Sequence, residues 1–203
     1  MIRREFMKTK VLSVFALTVL LAGCAATEMP ASTQHYNPET SARIRLFGQN
    51  GRPSIMFVQI GQGNAAKTEK ITVGGSLGDA FGSMLGMSKN ESIGMPATEN
   101  TQNLAAQNGI LSKAFYREFV IPAGKPVKVQ GAYIGLSSIT PLAQGGSLYY
   151  HEGDCSSNMV SFVPQAGQNY EVDSYLSGNG CSVVVFDIKS TDGKVSLIPV
   201  QTQ

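Results

Sequence analysis

Short runs of β-branched and aromatic residues, separated by turn signals, dominate the chain from residue 42 onward. Ten runs have the length and composition of strands: "ARIRLF", "SIMFVQI", "EKITV", "AFYREFVI", "VKVQGAYIG", "GSLYYHE", "MVSFVP", "YEVDSYL", "SVVVFDI" and "VSLIPV". Between them lie clusters such as "GQNGRP", "PAGKP", "SGNG" and "STDGK". With 22 Gly and no Trp in 203 residues, the composition also suits a strand-rich chain. The pattern predicts a mainly β domain over residues 42–203.

The arrangement within single runs refines this prediction. In "ARIRLF", Ile44 and Leu46 alternate with Arg43 and Arg45, so the arginines are expected to face solvent while the aliphatic side chains face a core. In "SVVVFDIKSTDGKVSLIPV", an Asp-Gly pair at 192–193 separates two apolar runs and predicts a β-hairpin. Many short strands with regular turns favour an antiparallel β-sandwich, immunoglobulin- or transthyretin-like.

Residues 74–112 differ from the rest of the domain in composition and in the spacing of their apolar residues. Their pattern predicts a short helical, Gly- and Met-rich insertion. In "GGSLGDAFGSMLGM", helical spacing places Leu77, Phe81, Met84 and Leu85 near one face, and "NTQNLAAQNGIL" predicts a second short helix. An apolar stripe usually faces a core, so a covering helix is the favoured interpretation. The alternative is a surface for a partner or an apolar ligand.

The amino-terminal residues have the plan of a secretory signal peptide. Residues 1–10 form a positive head and residues 11–22 an apolar run, too short for a membrane-spanning helix of about 20 residues. Met7 is an alternative start, since "MKTKVLSVFALTVLLAGC" also has a positive head and an apolar run. The signal peptide is predicted to cover residues 1–23.

The end of this segment, Leu21-Ala22-Gly23-Cys24, resembles the lipobox of bacterial lipoproteins. The resemblance implies that the signal is cut before Cys24 and that this cysteine carries acyl chains, which would anchor the protein to a membrane. The residue after the cysteine, Ala25, is similar to that of lipoproteins sent to the outer membrane. The implied location is therefore the cell envelope, at the outer membrane in preference to the inner membrane. Residues 24–41 predict a flexible tether with a root-mean-square reach of about 20–25 Å.

Removing residues 1–23 changes the charge balance. This segment holds four of the 16 basic residues and one of the 14 acidic residues, which leaves 12 basic and 13 acidic side chains. A nearly neutral domain has no basic field for a nucleic acid, so nucleic-acid partners are excluded.

The other two cysteines are predicted to form a disulfide. Cys155 and Cys181 each flank a strand pair, and an exported protein meets an oxidising compartment. Two free buried thiols are the alternative. A metal site that uses both cysteines with His151 is disfavoured because the chain has no tight Cys-x-x-Cys spacing.

Two motifs raise chemical alternatives. Ser76 in "GGSLG" fits the G-x-S-x-G pattern of a serine hydrolase, with His151 as its base, but the preceding "EKITV" alternates like a half-exposed strand rather than a buried parallel one. In "HEGDC", the side chains of His151, Glu152 and Asp154 are a weak alternative for metal binding, although a solvated turn has the same composition. No cofactor is predicted apart from the acyl chains on Cys24.

The sequence therefore favours a non-catalytic structural, accessory or partner-binding lipoprotein that meets a protein partner of the envelope. The strand-turn-strand texture of "FVIPAGKPVKVQGAY" and "VSFVPQAGQNYEV" resembles small β-sandwich envelope lipoproteins. The alternatives are an envelope serine esterase and a lipoprotein that binds an apolar ligand or lipid.

Overall fold

The structure, a computed structural model, describes residues 35–61, 63–75, 89–108, 112–178 and 180–203. These residues are mainly β. The strands are β1 Ser41–Gly48, β2 Ser54–Ile60, β3 Lys67–Val73, β4 Phe115–Pro122, β5 Val127–Tyr133, β6 Ser137–Pro141, β7 Ser147–His151, β8 Cys155–Ser156, β9 Val160–Phe162, β10 Asn169–Ser177, β11 Gly180–Thr191 and β12 Lys194–Pro199. One short α-helix, α1, covers Glu99–Gln102, and 3-10 turns cover Gly63–Ala65 and Leu104–Gln107.

The strands form two larger sheets and a separate ribbon. The first sheet has the order β12-β11-β10-β1-β4, and the second has the order β3-β2-β5-β8, with β9 also paired to β5. The ribbon consists of β6 and β7 alone. Strand pairing is antiparallel, as predicted, except that β1 and β10 are parallel.

Alternating side chains from both larger sheets make one hydrophobic core. Ile44 and Leu46 of β1 lie in it, fully buried, as their spacing predicted. The second sheet adds Met56 and Val58 from β2 and Val129 from β5. Successive residues of a strand point to opposite faces, so every second side chain of these strands points away from the core. Packing in the core does not determine whether those side chains are buried or exposed.

All ten predicted runs contain a strand, and the predicted β11–β12 hairpin is confirmed. Asp192 and Gly193 have φ angles of 51° and 74°. Positive φ at both turn residues is what a two-residue type I′ turn requires. Two strands were not predicted, namely β6 and the very short β8.

The predicted exposure of Arg45 was wrong, because its side chain is 1% exposed. Its guanidinium lies between two carboxylates that are 0% exposed: Nη2 donates to Glu118 Oε1 at 2.6 Å and Nη1 to Glu171 Oε2 at 2.7 Å. Glu118 is on the neighbouring β4 and Glu171 on the neighbouring β10. The three side chains thus form a charged network on the outer face of the first sheet.

Residues 91–102, called here the outer strap, cover this network. Glu118 Oε2 accepts from Ser92 Oγ at 2.8 Å and from Ile93 N at 2.7 Å. Thr98 Oγ1 donates to Glu171 Oε2 at 2.7 Å, and Asn100 Nδ2 donates to Glu171 Oε1 at 2.8 Å. The strap includes α1, whose amino end Thr98 and Thr101 close in a reciprocal capping box.

The predicted helical insertion is described only in part. Residues 89–108 contain α1 and the 3-10 turn Leu104–Gln107, which lie where "NTQNLAAQNGIL" predicted a short helix. Leu77, Phe81, Met84 and Leu85 lie outside the described residues, as do the signal peptide and Cys24. In the part of the chain that the structure describes, no helix is long and apolar enough to cross a membrane.

Candidate functional site

The β6–β7 ribbon and the residues that lead into it, 134–151, are called here the hairpin arm. Ser137–Pro141 and Ser147–His151 pair in register, with Ile139 opposite Tyr149. Gly145 and Gly146 have φ angles of 88° and 89°, a conformation that side-chain-bearing residues rarely adopt. The chain reverses between the strands with a hydrogen bond from Leu142 N to Gly146 O. The arm forms as a local hairpin that leaves the end of β5.

Large apolar side chains cover the arm and remain in solvent. All ten residues of β6 and β7 are exposed. Seven large apolar side chains on the arm are 49–68% exposed: Ile134, Leu136, Ile139, Leu142, Leu148, Tyr149 and Tyr150. No Asp, Glu, Lys or Arg occurs from residue 134 to residue 150. Exposed apolar patches of this kind are typical of interaction surfaces.

The strand register distributes these side chains over both faces of the arm. Directly paired residues of an antiparallel ribbon share a face, so Ile139 and Tyr149 lie on one face. Leu148 pairs with Thr140, and Tyr150 pairs with Ser138, which puts Leu148 and Tyr150 on the other face. Neither face of the ribbon is therefore a polar, solvent-adapted face.

Hydrogen bonds fix the base of the arm to the end of β5. Glu152 Oε2 accepts from Tyr133 Oη at 2.5 Å and from Leu136 N at 3.1 Å, and Asp154 Oδ1 accepts from Gly135 N at 2.8 Å. The bond from Tyr133, with that from Leu136 N, lowers the pKa of Glu152, and the same bond raises the pKa of Tyr133. The arm is thus mounted on a defined base.

The predicted disulfide lies next to this base. Cys155 and Cys181 are bonded, with Cα atoms 5.6 Å apart. Cys155 begins β8 in the second sheet and Cys181 lies near the start of β11 in the first sheet. The bond therefore joins the two larger sheets at the end of the fold that carries the arm.

His151, predicted as a possible catalytic base, lies at the base of the arm. Its Nδ1 is 2.9 Å from Ser137 Oγ, and its Nε2 is 3.3 Å from Asp154 Oδ2. Ser76, the predicted nucleophile, lies outside the described residues, so the structure brings a different serine to this histidine. Ser137 was not among the predicted site residues because its strand, β6, was not predicted.

The Ser137–His151–Asp154 row has two contacts of a catalytic triad, a hydroxyl on a base and a base on a carboxylate. Such a site also needs donors for the oxyanion. The nearby backbone N–H groups of Gly135 and Leu136 already donate to Asp154 and Glu152. The side chains of His151 and Asp154 are 32% and 57% exposed, which leaves the row open to water. This geometry suits side chains that hydrogen-bond the two strands together at the base of the arm better than it suits an active site that excludes water.

The metal alternative finds no geometric support. Among the described residues, no group of three His, Cys, Asp or Glu side chains could hold a metal ion. The side chains of Glu152 and Asp154 are instead engaged by backbone N–H groups of the arm.

A separate cavity of about 400 Å³ lies beside the end of β10 and the 3-10 turn Leu104–Gln107, lined in part by Phe47, Asp173 and Tyr175. Burial and the nearby Glu171 raise the pKa of Asp173, against a hydrogen bond from Ser174 N that lowers it. This cavity presents a carboxyl group that holds its proton more readily than an exposed aspartate.

Comparison of the chain with protein-family models, with curated proteins and with solved structures found no match.

Proposed function

We propose that this protein is a lipid-anchored lipoprotein of a bacterial cell envelope that works by binding a protein partner through the hairpin arm, rather than by catalysis. Residues 1–23 act as the signal peptide, and Cys24 carries the acyl chains that anchor the protein, at the outer membrane in preference to the inner. Two acyl chains give the stable attachment that one chain does not.

The observation that supports a binding role is the exposure of the uncharged hairpin arm. Burying one large aliphatic or aromatic side chain stabilises a complex by about 1.5–3 kcal/mol before the losses of association. The arm keeps seven such side chains in solvent. Hydrogen bonds and the Cys155–Cys181 bond fix the base of the arm, which lowers the cost of ordering it on binding.

The fold supports a particular orientation of this binding surface. Ser41, at the start of β1, pairs with Pro122, at the end of β4, and β5 begins five residues later at Val127. The arm leaves the other end of β5, so the amino-terminal side of the domain and the arm lie at opposite ends of the sheets. The seven residues of β5 separate them by about 23 Å. An anchor at Cys24 would leave the arm free to point away from the membrane.

We also propose that the domain is an antiparallel β-sandwich of the immunoglobulin- or transthyretin-like kind. Support comes from the core that both larger sheets share. The parallel β1–β10 pair is a departure from a purely antiparallel arrangement.

The anchoring half of this proposal is tested by metabolic labelling with a radioactive or clickable fatty acid. The wild-type protein should take up label and fractionate with membranes, whereas Cys24→Ser should take up none. Label that persists in the Cys24→Ser variant would refute acylation at this residue.

The binding half is tested by photo-crosslinking in intact cells. A photoreactive amino acid at Ile139 should give a discrete crosslinked product, and the same amino acid at Thr68, exposed on the charged strand β3, should not. Equal labelling at both positions, or at neither, would contradict a binding role for the arm.

The Ser137–His151–Asp154 row supports one second candidate, an envelope serine hydrolase. In that reaction Ser137 Oγ would attack an ester carbonyl while its proton passes to His151 Nδ1 and then to the leaving alcohol, and water would release the acyl group from Ser137. Turnover of chromogenic esters that Ser137→Ala abolishes and Ser138→Ala preserves would favour this candidate. Loss of turnover in Ser76→Ala instead would return the reaction to the G-x-S-x-G motif.

A further inference from the structure

We propose that the partner of the hairpin arm is a second copy of this chain, which pairs through the outer edge of β7 to form a four-stranded sheet, β6-β7-β7′-β6′. This inference rests on the proposed function only in taking the arm as the binding surface. It adds the identity of the partner and the strand that meets it.

The edge of β7 lacks the features that protect the edges of β3, β4 and β12. Proteins guard exposed edge strands with charged residues, with proline or with a covering segment. The edge strand β3 carries Lys67, Glu69 and Lys70, and the edge strand β12 carries Lys194 and Pro199. β7 reads "SLYYH", with no charged residue and no proline, and within the described residues no strand pairs with its outer edge.

The edge strand β4 is covered instead of charged. Residue 91 of the outer strap forms a bridge with Arg117: Glu91 N donates to Tyr116 O at 3.0 Å, and Glu118 N donates to Glu91 O at 2.9 Å. A segment from elsewhere in the chain thus takes up the backbone groups of β4. β7 has no comparable cover in the described structure, so the backbone donors and acceptors on its outer edge, away from β6, are available to another strand.

The other strand of the ribbon is less suited to pairing. β6 reads "SSITP" and ends at Pro141, which has no N–H to donate. The residues of β7 all have a backbone N–H, and its tyrosines and leucine favour a strand conformation. The edge that accepts a new strand is therefore that of β7.

The sequence of β7 is compatible with pairing to itself. In an antiparallel pair centred on Tyr149, that residue faces its own copy, and Leu148 of one chain faces Tyr150 of the other. Leu148 and Tyr150 already share one face of the arm, so each face of the larger sheet continues an apolar face of the ribbon. Each such cross-strand pair contributes about 0.2–1 kcal/mol, and the absence of Lys, Arg, Asp and Glu avoids the like-charge contacts that a two-fold axis would impose.

Pairing with a second copy would also stabilise the two-stranded ribbon. An isolated hairpin is at best marginally stable in water, whereas three or more strands that share an apolar face sustain one another. A bilayer would cover both faces of the arm, but it would leave the open edges of both strands without hydrogen-bond partners. A second copy satisfies the β7 edge and extends both apolar faces, so it fits the arm better than lipid does.

The inference is tested first with one cysteine on the proposed two-fold axis, in the full chain expressed in its own envelope. Tyr149→Cys should give a disulfide-linked dimer on a non-reducing gel, because paired residues of adjacent antiparallel strands have Cα atoms about 4.5–5.5 Å apart, within disulfide range. Thr68→Cys, on the edge strand β3, is the matched control and should remain monomeric. A Tyr149→Cys variant that crosslinks as weakly as the control would overturn the inference.

The second measurement is the mass of the purified full-length protein in detergent, by analytical ultracentrifugation. The wild type should be a dimer and Tyr149→Lys a monomer, because two like charges would face each other across the axis. Thr68→Lys should remain a dimer. A monomeric wild type at every concentration, or a dimer that Tyr149→Lys leaves intact, would refute self-pairing.

The two proposals fail in different ways. A crosslink from Ile139 to a different protein, with Tyr149→Cys monomeric, would keep the binding role and remove the second copy. A crosslink from Ile139 to envelope lipid, with no crosslink to any protein, would remove both the protein partner and the second copy in favour of lipid.

Discussion

The outer face of the first sheet and the hairpin arm reverse the usual distribution of side chains. On the outer face, Arg45, Glu118 and Glu171 are at most 1% exposed, although charged residues usually lie in solvent. On the arm, leucines, isoleucine and tyrosines that would suit a core are about half exposed or more. Alternation along a strand tells which residues share a face, but a segment from elsewhere decides whether that face meets water.

The difference between the two regions is the presence of a cover with the right donors. The outer strap brings hydroxyl, amide and backbone N–H groups onto Glu118 and Glu171, so the buried charges are hydrogen-bonded as well as paired. Buried ions are tolerated under these conditions. The arm has no such cover among the described residues, and the proposed second copy would supply it.

The largest expected effect comes from removing the cation of the buried network. Arg45→Met should lower the free energy of unfolding by about 3–5 kcal/mol, because two buried carboxylates would lose their shared partner. Arg43→Met, on the same strand and partly exposed, removes hydrogen bonds to Asn169 and Gly94 and should cost about 1 kcal/mol. Urea unfolding measures both. Equal losses in the two variants would show that the buried network has no special role.

The next effect concerns the covalent bond at the arm's end of the fold. The Cys155–Cys181 bond closes a loop of 26 residues, for which chain entropy predicts about 3.5 kcal/mol of stabilisation. A Cys155→Ser/Cys181→Ser double variant should lose about that much in urea unfolding. A loss well below 1 kcal/mol would mean that the hydrogen bonds at the base of the arm suffice to hold this end together.

Local features of the sequence predict only part of this fold. The ten runs, the Asp192-Gly193 turn and the disulfide follow from local composition, turn chemistry and cysteine number, so they were predictable. The burial of Arg45 was not, because its cover lies about 50 residues away and "ARIRLF" carries no sign of it. The parallel pairing of β1 with β10 joins segments more than 120 residues apart and leaves no local pattern either.

The candidate site was predictable only in part. His151 was identified from its residue type, but its contact with Ser137 depends on β6, whose "SSITP" composition does not read as a strand. A signal for the arm was present in the sequence, since residues 134–150 carry no charge and surround a Gly-Gly turn. That signal predicts a hairpin but not its exposure, because a buried strand pair would have the same composition.

A pH dependence of stability is also expected from the buried network of Arg45, Glu118 and Glu171. Burial alone would raise the pKa of Glu118, but hydrogen bonds from Arg45, from Ile93 N and from Ser92 outweigh it and lower the pKa. A carboxyl group with a lowered pKa stabilises the fold above its ordinary pKa of about 4.3, and this contribution disappears as the pH falls through the folded-state value. Glu118→Gln should therefore lose about 1–3 kcal/mol at neutral pH, and the difference from wild type should shrink in acid.

Asp173 provides the control of opposite sign for that titration. Its pKa is raised by burial and by Glu171, so its ionisation opposes folding as the pH rises above the unfolded value of about 3.9. Asp173→Asn should make the protein more stable at neutral pH and leave its stability in strong acid unchanged. Urea midpoints measured across this pH range distinguish the two carboxyl groups. Parallel pH curves for the two variants would contradict the assignment of opposite shifts.

The fourth prediction tests the strap itself. Thr98→Val keeps the shape of the side chain but removes the hydroxyl that donates to Glu171 and caps α1, so it should lower the free energy of unfolding by about 0.5–2 kcal/mol. Hydrogen exchange of the strap amides should quicken more than that of the core strands. Thr140→Val, on the exposed β6, is the matched control and should leave both measurements unchanged.

The smallest expected effect is on the arm, and it separates burial from residue type. Leu148→Ser should change the free energy of unfolding of the monomer by less than about 0.5 kcal/mol, because an exposed leucine contributes little to the core. Leu46→Ala, at a fully buried position, should cost about 2–5 kcal/mol. Since a self-paired arm would bury Leu148 against Tyr150 of the other chain, measurement in the monomeric Tyr149→Lys background isolates the intrinsic effect. A loss above 1 kcal/mol for Leu148→Ser in that background would show that the arm packs on its own domain, and the contrast between the two regions would then fail.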